Sequence, residues 1–500
     1  MRKLKVFLIN GIVLTATSFL LQTIGLFFNV YISNKIGSES VGVFQLLMSV
    51  YTFFITFALS GINLSCMRII SEEIAKGFSG NIKKAMKYCL AYSLLFGGLA
   101  GVLLFTFTPF ISTNWLHGKV SFTPLYIISF SLPFLALSAA LKGYFSAVRR
   151  VSKTAFSEIF EQIIQIIIVT YLINLFMPPT VDYACISLVL GATISEVFSF
   201  IFIFILYKID SKQYKMSPKS NSKFVGKLLH ISLPIAFTSY VRSGLSTLQQ
   251  LLIPFRLEKS GISCGTALSQ YGQVSGMVMP IIMFPSIFIL SFCNLLIPEF
   301  SEYNVQNKRI QINYNITKII KYTLYFSTCI FGIFLCFSKE LCTIIYNMPE
   351  LSMYLVVLSP TIILIYLDKV VDSILKGLDL QVKVMGINIL DLLSCLGFIY
   401  FLLPVVGIKG YLFVILFSET LNFTLSLRIL IKETHFKFDI TNIIKPAFSL
   451  ICSILLIFIF KEFFDLHIVN LIILICMFIV FYLLILKFLD RKIIWGGLLC

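Results

Sequence analysis

Apolar runs of about 20 residues follow one another along this chain, each long enough to cross ~30 Å of hydrocarbon as a helix. In that medium every backbone N–H and C=O needs a partner within the protein, which leaves only helices or a closed barrel. The alternating strands of about ten residues that a barrel needs are absent, so the expected fold class is an all-α polytopic membrane protein. With 58% hydrophobic and 13% charged residues there is no stretch from which to build a soluble domain. The first run, behind MRKLKVF, is too long for a signal peptide and has no small-residue cleavage site, so it reads as an uncleaved first helix.

Fourteen segments are expected. The first six lie near 6–33, 41–67, 88–112, 122–145, 157–177 and 183–207. The next six lie near 228–256, 266–298, 318–337, 351–376, 383–404 and 409–432, with a last pair near 444–464 and 468–489. A net charge of +17 would suggest nucleic acid in a soluble protein, but here the basic residues sit in short connectors and read as topology signals. Of the 40 Lys and Arg, only Lys35, Lys119, Arg256, Lys259, Lys339, Lys409 and Lys461 lie in odd-numbered connectors, and Arg242 and Lys369 lie inside segments. The remainder places both termini in the cytoplasm. The connector Arg68–Lys87 is amphipathic and basic and is expected along the headgroups.

Internal repetition divides the chain. GSESVGVFQLLMSVYTFFITFALSGINLSCMRIISEE (37–73) parallels ALSQYGQVSGMVMPIIMFPSIFILSFCNLLIPEFSE (267–302). Ser71-Glu72 and Ser301-Glu302 are 230 apart, as are Glu161 and Asp391. Leu141-Lys142-Gly143 and Leu375-Lys376-Gly377 are 234 apart, and Ser195-Glu196 and Ser418-Glu419 are 223 apart. Near-constant offsets in unbroken order imply two parallel six-helix lobes related by an axis along the membrane normal. The expected organisation is an N-terminal lobe 1–207, a cytoplasmic linker 208–227, a C-terminal lobe 228–437, and two additional helices with a short tail over 438–500.

Polar residues inside apolar segments mark the candidate site, because an ionised side chain at mid-bilayer costs roughly 3 kcal/mol or more. In the seventh segment, with Arg242 at 0°, Thr238 falls at about −40°, Ser246 at +40°, Gln249 at −20° and Gln250 at +80°. Arg256 falls at about −40° beyond Pro254. The first segment has a matching stripe of Thr15, Ser18, Gln22, Gly25, Asn29 and Ser33. These two faces are the expected walls of one central cavity, with Arg68 at its mouth. In the fifth segment Glu161, Gln162 and Gln165 share a face below Glu158. They can line the cavity and couple an ion, or they can form a rim salt bridge with Arg149, Arg150 or Lys153. In the tenth, Asp368, Lys369, Asp372 and Lys376 lie together, with Asp372 and Lys376 spaced as an i,i+4 pair. This group is either a structural charge cluster or, through Asp368 and Asp372, a proton or sodium coupling site.

The chain shows no GxxxxGK[ST] loop, HExxH, nucleophile elbow or paired catalytic carboxylates, so neither ATP hydrolysis nor other enzyme activity is expected. The 12 cysteines form no CxxC and read as buried, reduced thiols. No metal and no bound cofactor is implied; coupling to the membrane potential, protons or sodium would supply energy.

LPIAFTSYVRSGLSTLQQLLIPFRL with GQVSGMVMPIIMFPSIFILSFCNLLIPEFSE resembles the polysaccharide-transporter branch of the multidrug/oligosaccharidyl-lipid/polysaccharide exporters. Within that branch the sequence is most similar to the stage V sporulation protein B group, and LKGYFSAVRRVSKTAFSEIFEQ and GATISEVFSFIFIFILYK fit the same group. The branch's motif falls on Pro254, Arg256, Gly276, Met277, Pro280, Pro285, Pro298 and Glu299, and on Glu161 and Gln162. The resemblance implies flipping of a polyprenyl-pyrophosphate-linked saccharide across the cytoplasmic membrane by alternating access. Lipid II for spore cortex peptidoglycan is the implied cargo, with membrane lipids and cell-wall synthesis enzymes as partners and no nucleic acid. Related lipid II flippases carry cavity arginines in their first two helices; here the first segment offers Gln22 and Asn29 instead. Ion-coupled multidrug efflux within the same superfamily is the alternative, and a non-transporting scaffold for envelope enzymes is a third reading.

Overall fold

The computed structural model describes residues 2–76, 78–175, 180–213, 224–436, 441–461 and 468–496. Its elements are helices: α1 (Arg2–Leu59), α2 (Ile62–Ala75), α3 (Ile82–Phe110), α4 (Phe122–Ser129), α5 (Ser131–Ala147), α6 (Val151–Leu175), α7 (Val181–Asp210), α8 (Phe224–Glu258) and α9 (Cys264–Tyr271). There follow α10 (Met279–Met283), α11 (Ser286–Val305), α12 (Arg309–Tyr346), α13 (Leu351–Leu358), α14 (Thr361–Gly377), α15 (Gln381–Val406), α16 (Ile408–Thr434), α17 (Thr441–Lys461) and α18 (Ile468–Gly496). Eleven helices are long and apolar enough to cross a membrane, or up to 13 when each of two bent pairs is one span.

The difference from the expected fourteen lies in the stretch Thr15–Ala75, whose 61 residues run as one span. At about 1.5 Å per residue this is far longer than one bilayer crossing. Gly37 divides it with φ 78 and ψ 166, a conformation open only to glycine. A second break follows at Ser60 and Gly61, with φ of 42° and 71°. The connector expected along the headgroups is partly a packed helix instead. In α2, Ile69 and Ile70 are buried with Met86 of α3 and Tyr144 and Phe145 of α5, because the apolar side of Arg68–Ala75 has a core to join.

The described chain forms two compact units, Met1–Glu258 with Ile262–Gly272, and Lys259–Gly261 with Gln273–Cys500. Half of the expected linker 208–227, residues 214–223, lies outside the described residues, and α8 and α9 pack within the first unit. Two glycines fix α9 there. A Cβ on Gly42 would lie 2.0 Å from the Leu268 carbonyl oxygen, and one on Gly272 would lie 2.2 Å from that of Ser38. The Ser38 and Ser269 hydroxyls meet at 2.7 Å beside this crossing. Gly42 and Gly272 are themselves 230 residues apart, the offset of the repeat.

The two units repeat finer details than the sequence motifs. The segments expected at 122–145 and 351–376 are each broken at one place, α4 from α5 and α13 from α14. At the first break Ser129 Oγ donates to Tyr126 O (2.6 Å) and Ser131 Oγ to Ile128 O (2.7 Å). At the second, Ser359 Oγ donates to Val356 O (2.7 Å) and Thr361 Oγ1 to Leu358 O (2.5 Å). All four pairs keep the offset of 230. Residues with positive φ keep it too: His117 and Asn347 (49° and 54°), and Arg149 and Asp379 (60° and 64°). Behind these turns Lys153 pairs with Asp210 at 2.6 Å, and Lys383 pairs with Glu433.

Helices α17 and α18 are tied to α12 near both of their ends. The kink at Phe337 of α12 frees the Cys336 carbonyl, which accepts from Lys461 Nζ at 2.9 Å while Glu340 pairs with the same ammonium at 2.7 Å. Asp490 of α18 pairs with Lys445 of α17 at 2.7 Å and with Lys321 of α12 at 3.3 Å. Most described cysteines are buried and none is disulfide-bonded, but Cys264 and Cys476 are exposed, against the expectation of burial throughout.

Two outcomes follow for the purified protein in detergent, read by thermal unfolding. Gly42→Val places carbon against a backbone carbonyl and lowers stability by about 1–3 kcal/mol, whereas Ser269→Ala costs under about 1 kcal/mol. Asp210 has a fully buried side chain and also accepts from Tyr144 (2.8 Å) and Arg150, so Asp210→Asn costs about 2 kcal/mol after allowing for the half-exposed arginine. Its repeat equivalent Glu433 is exposed, and Glu433→Gln costs under about 1 kcal/mol.

Candidate functional site

Helix α8 has two polar faces, and only one is open. Along the packed face Ser232 Oγ donates to Ser65 Oγ (2.8 Å), Thr56 Oγ1 donates to Ser243 Oγ (3.1 Å) and Thr247 Oγ1 donates to Ser49 O (3.0 Å). The Tyr240 hydroxyl meets Ser60 on the same side. With Arg242 at 0° these four residues fall between about +80° and +160°. Small hydroxyl-bearing side chains allow close approach and hydrogen-bond across helices, as expected for packing without a hydrophobic driving force.

The stripe of Thr238, Arg242, Ser246 and Gln249 lies roughly a third of a turn away from that face. Arg242 is exposed, and no ion pair among the described residues includes it. Gln250 donates to Ser246 Oγ at 3.3 Å, and Gln249 is half-buried. Thr238 returns its hydroxyl to Ile235 O at 2.9 Å. Helix geometry therefore separates a packing function from an unpaired cation on one span. The hydroxyl ladder escaped the sequence reading, although Ser232, Tyr240, Ser243 and Thr247 carry a helical spacing that could have revealed it.

Arg68, expected at the cavity mouth, and Arg242 and Arg256, expected on one face of the seventh segment, stand at three levels. Arg68 shares an open pocket with Ile231 and Ile235 of α8. Arg242 is seven residues beyond Ile235 and eleven beyond Ile231, about 10–16 Å along the helix, and Arg256 is another fourteen residues on, about 21 Å. Arg256 lies beside its neighbour Phe255, with the guanidinium carbon 6.0 Å from the ring centre, and His117 stacks on that ring at 4.3 Å. Lys119 and Glu258 pair nearby at 2.6 Å.

On α1, Gln22 is exposed and Asn29 accepts from Ser33 at 3.4 Å. Gln162 of α6 reaches α1, its Nε2 3.2 Å from where a Cβ on Gly25 would lie. The partner expected for Glu158 and Glu161 changes. Arg150 and Lys153 are committed to Asp210, and the two glutamates instead face Lys142 of α5 at 3.4 and 3.9 Å. Ser199 of α7 donates to Glu161 Oε2 at 2.8 Å, and buried Glu196 shares this neighbourhood. Gln165 is half-buried farther along α6. The charge carried by Glu161 is thus compensated within the unit rather than displayed at its rim.

The second unit has a corresponding group. Asp372 pairs with Lys376 at 3.9 Å, as its spacing suggests, and accepts from Ser426 at 3.3 Å. Asp391 accepts from Ser418 at 2.9 Å. Asp368 has one buried carboxylate oxygen that receives no hydrogen bond among the described residues, with Glu419 and Lys369 in its electrostatic surroundings. Among the described residues no three His, Cys, Asp or Glu side chains converge as a metal site. Chemically, the open arginine suits a diffuse anion, and the enclosed carboxylates suit a proton or a small cation.

Residues 7–304 match the model of a family described as polysaccharide biosynthesis protein. The chain is 24% identical to stage V sporulation protein B of Bacillus subtilis over 87% of each chain. It is also 24% identical to the lipid II flippase MurJ of Bacillus subtilis, over 74% of this chain and 72% of that one. Among solved structures, lipid II flippase MurJ in an inward closed conformation matches with a TM-score of 0.71 at 17% identity, covering 97% of this chain and 100% of that one. An inward-facing multidrug resistance MATE family transporter of the MOP superfamily matches with a TM-score of 0.66 at 14% identity, covering 85% of this chain and 99% of that one. The fold is therefore of the MATE and MurJ kind, and this multi-pass membrane chain belongs to the polysaccharide biosynthesis protein family.

Proposed function

We propose that the chain flips a polyprenyl-diphosphate-linked saccharide across the cytoplasmic membrane, and that Arg242 receives the diphosphate midway. One observation carries this reading: an exposed arginine without a carboxylate partner, in the body of a span, on a face that packing leaves open. Such a cation is costly against lipid, and that cost is removed by water or an anionic ligand. Gln22, Asn29, Gln249 and Gln250 supply amide groups for sugar hydroxyls. The names of the relatives point the same way, and a peptidoglycan precursor such as lipid II, used in spore cortex formation, is the cargo we favour. The basic connectors place both termini in the cytoplasm. Alternating access would expose the Arg242 face to one side of the membrane and then to the other.

Multidrug efflux is less well supported, because Glu161 and Asp372 are engaged with Lys142 and Lys376 rather than displayed to a cationic drug. The carboxylate we assign to ion coupling is Asp368, one of whose oxygens is buried and receives no hydrogen bond among the described residues.

In vesicles carrying the full chain and fluorescent lipid II, Arg242→Ala lowers the flipping rate at least tenfold, and Arg242→Lys keeps part of it. An unchanged rate in Arg242→Ala rules out this role, and faster transport of a simpler undecaprenyl-linked sugar by the native chain reassigns the glycan. In the same vesicles Asp368→Asn retains downhill flipping but loses the response to an imposed proton or sodium gradient; an intact response removes Asp368 from coupling.

A further inference from the structure

The first unit contains a pocket of about 660 Å³ that the transport reading does not use. Its walls come from α2, from the end of α5 with the turn after it, and from the start of α8. The lining mixes apolar Leu64, Ile231 and Ile235 with charged Arg68, Glu72 and Arg149. This volume falls in the range of small-molecule sites. It also lies where the apolar run of α2 gives way to charge.

Cations outnumber carboxylates here. Glu72 is shared by Arg68 at 3.3 Å and Lys227 at 3.7 Å, so one carboxylate serves two cations. Arg149 occupies a turn with φ 60, a conformation that costs a non-glycine residue about 1–2 kcal/mol. The turn is clamped from behind, since the next two basic side chains, Arg150 and Lys153, are drawn to the buried Asp210. This clamp leaves Arg149 on the pocket side, facing Arg68 from a different element. Two guanidinium groups on separate walls match a ligand with two phosphates, because each planar fork takes a pair of oxygens. The apolar lining residues suit the first carbons of a long hydrocarbon chain.

We propose that this pocket is a loading subsite for the diphosphate of a lipid-linked saccharide, occupied before the headgroup reaches Arg242. The proposal rests on the transport reading above and adds an earlier station to it, since the α8 residues that line the pocket, Ile231 and Ile235, lie about 10–16 Å short of Arg242 along the helix.

Direct binding separates the two claims. Native mass spectrometry of the full chain in detergent, titrated with undecaprenyl diphosphate, gives one affinity for each variant. We expect Arg68→Gln/Arg149→Gln to weaken binding at least tenfold. Arg242→Ala tests the mid-membrane station and is read by flipping rate rather than by this affinity. Lys83→Gln/Lys84→Gln, two exposed lysines at the start of α3, should leave it unchanged and so exclude a general effect of charge. Native affinity in the double arginine variant overturns the proposal, as does failure of the native chain to bind undecaprenyl diphosphate. Equal affinity for phosphatidylglycerol also overturns it, by making the pocket a general anionic-lipid site. Loss of binding in the double arginine variant, with normal flipping in Arg242→Ala, would keep the loading subsite and discard the mid-membrane one.

Discussion

Backbone hydrogen bonding in a medium without water governs the rest of this fold. A helix satisfies its own peptide groups, and each interruption must find another donor. The breaks are built accordingly. Ser129 and Ser131 return their hydroxyls to carbonyls at the first break, Ser359 and Thr361 do so at the second, and Lys461 covers the carbonyl released at Phe337. Gly37 turns the chain without any such partner, by a conformation that other residues avoid. At these breaks, among the described residues, a short polar side chain, a lysine from another helix or a glycine stands ready.

The same constraint explains what the sequence made legible. Lipid rewards long apolar runs, so the segments and their order could be read directly. The repeat could also be read, because Glu161 and Asp391, or Ser195-Glu196 and Ser418-Glu419, are conspicuous against so apolar a background. Arg242 and its stripe stood out for the same reason. Partner choice was less accessible. Lys142 meets Glu161 because α5 and α6 pack in one register, and Arg150 turns away because Asp210, sixty residues on, is buried beside it. The hydroxyl ladder was missed for a related reason: its two halves are nearly two hundred residues apart, and serines in a membrane helix have many other uses. The breaks within the fourth and tenth segments were hidden because apolar runs continue through them.

The contacts of α8 also differ in kind from those beneath α2. Hydroxyl pairs between membrane helices are worth about 0.6 kcal/mol each on average. Under α2, by contrast, Ile62, Ile69, Ile70, Met86, Tyr144 and Phe145 form a closely filled apolar cluster. A helix held by several weak polar contacts can exchange them for others at small cost, whereas a filled core resists any shift of its parts. The first unit thus has a closely filled cluster under α2, which Phe224 and Leu228 at the start of α8 join, and a more polar seam farther along α8.

The turns at Arg149 and Asp379 give the duplicated scaffold a polarity of its own. Both adopt the same backbone conformation, 230 residues apart, and both side chains are exposed, yet one is a cation and the other an anion. Duplication preserved the geometry while the charge reversed. The left-handed turn is therefore a property of the backbone there and not of the charge its side chain carries.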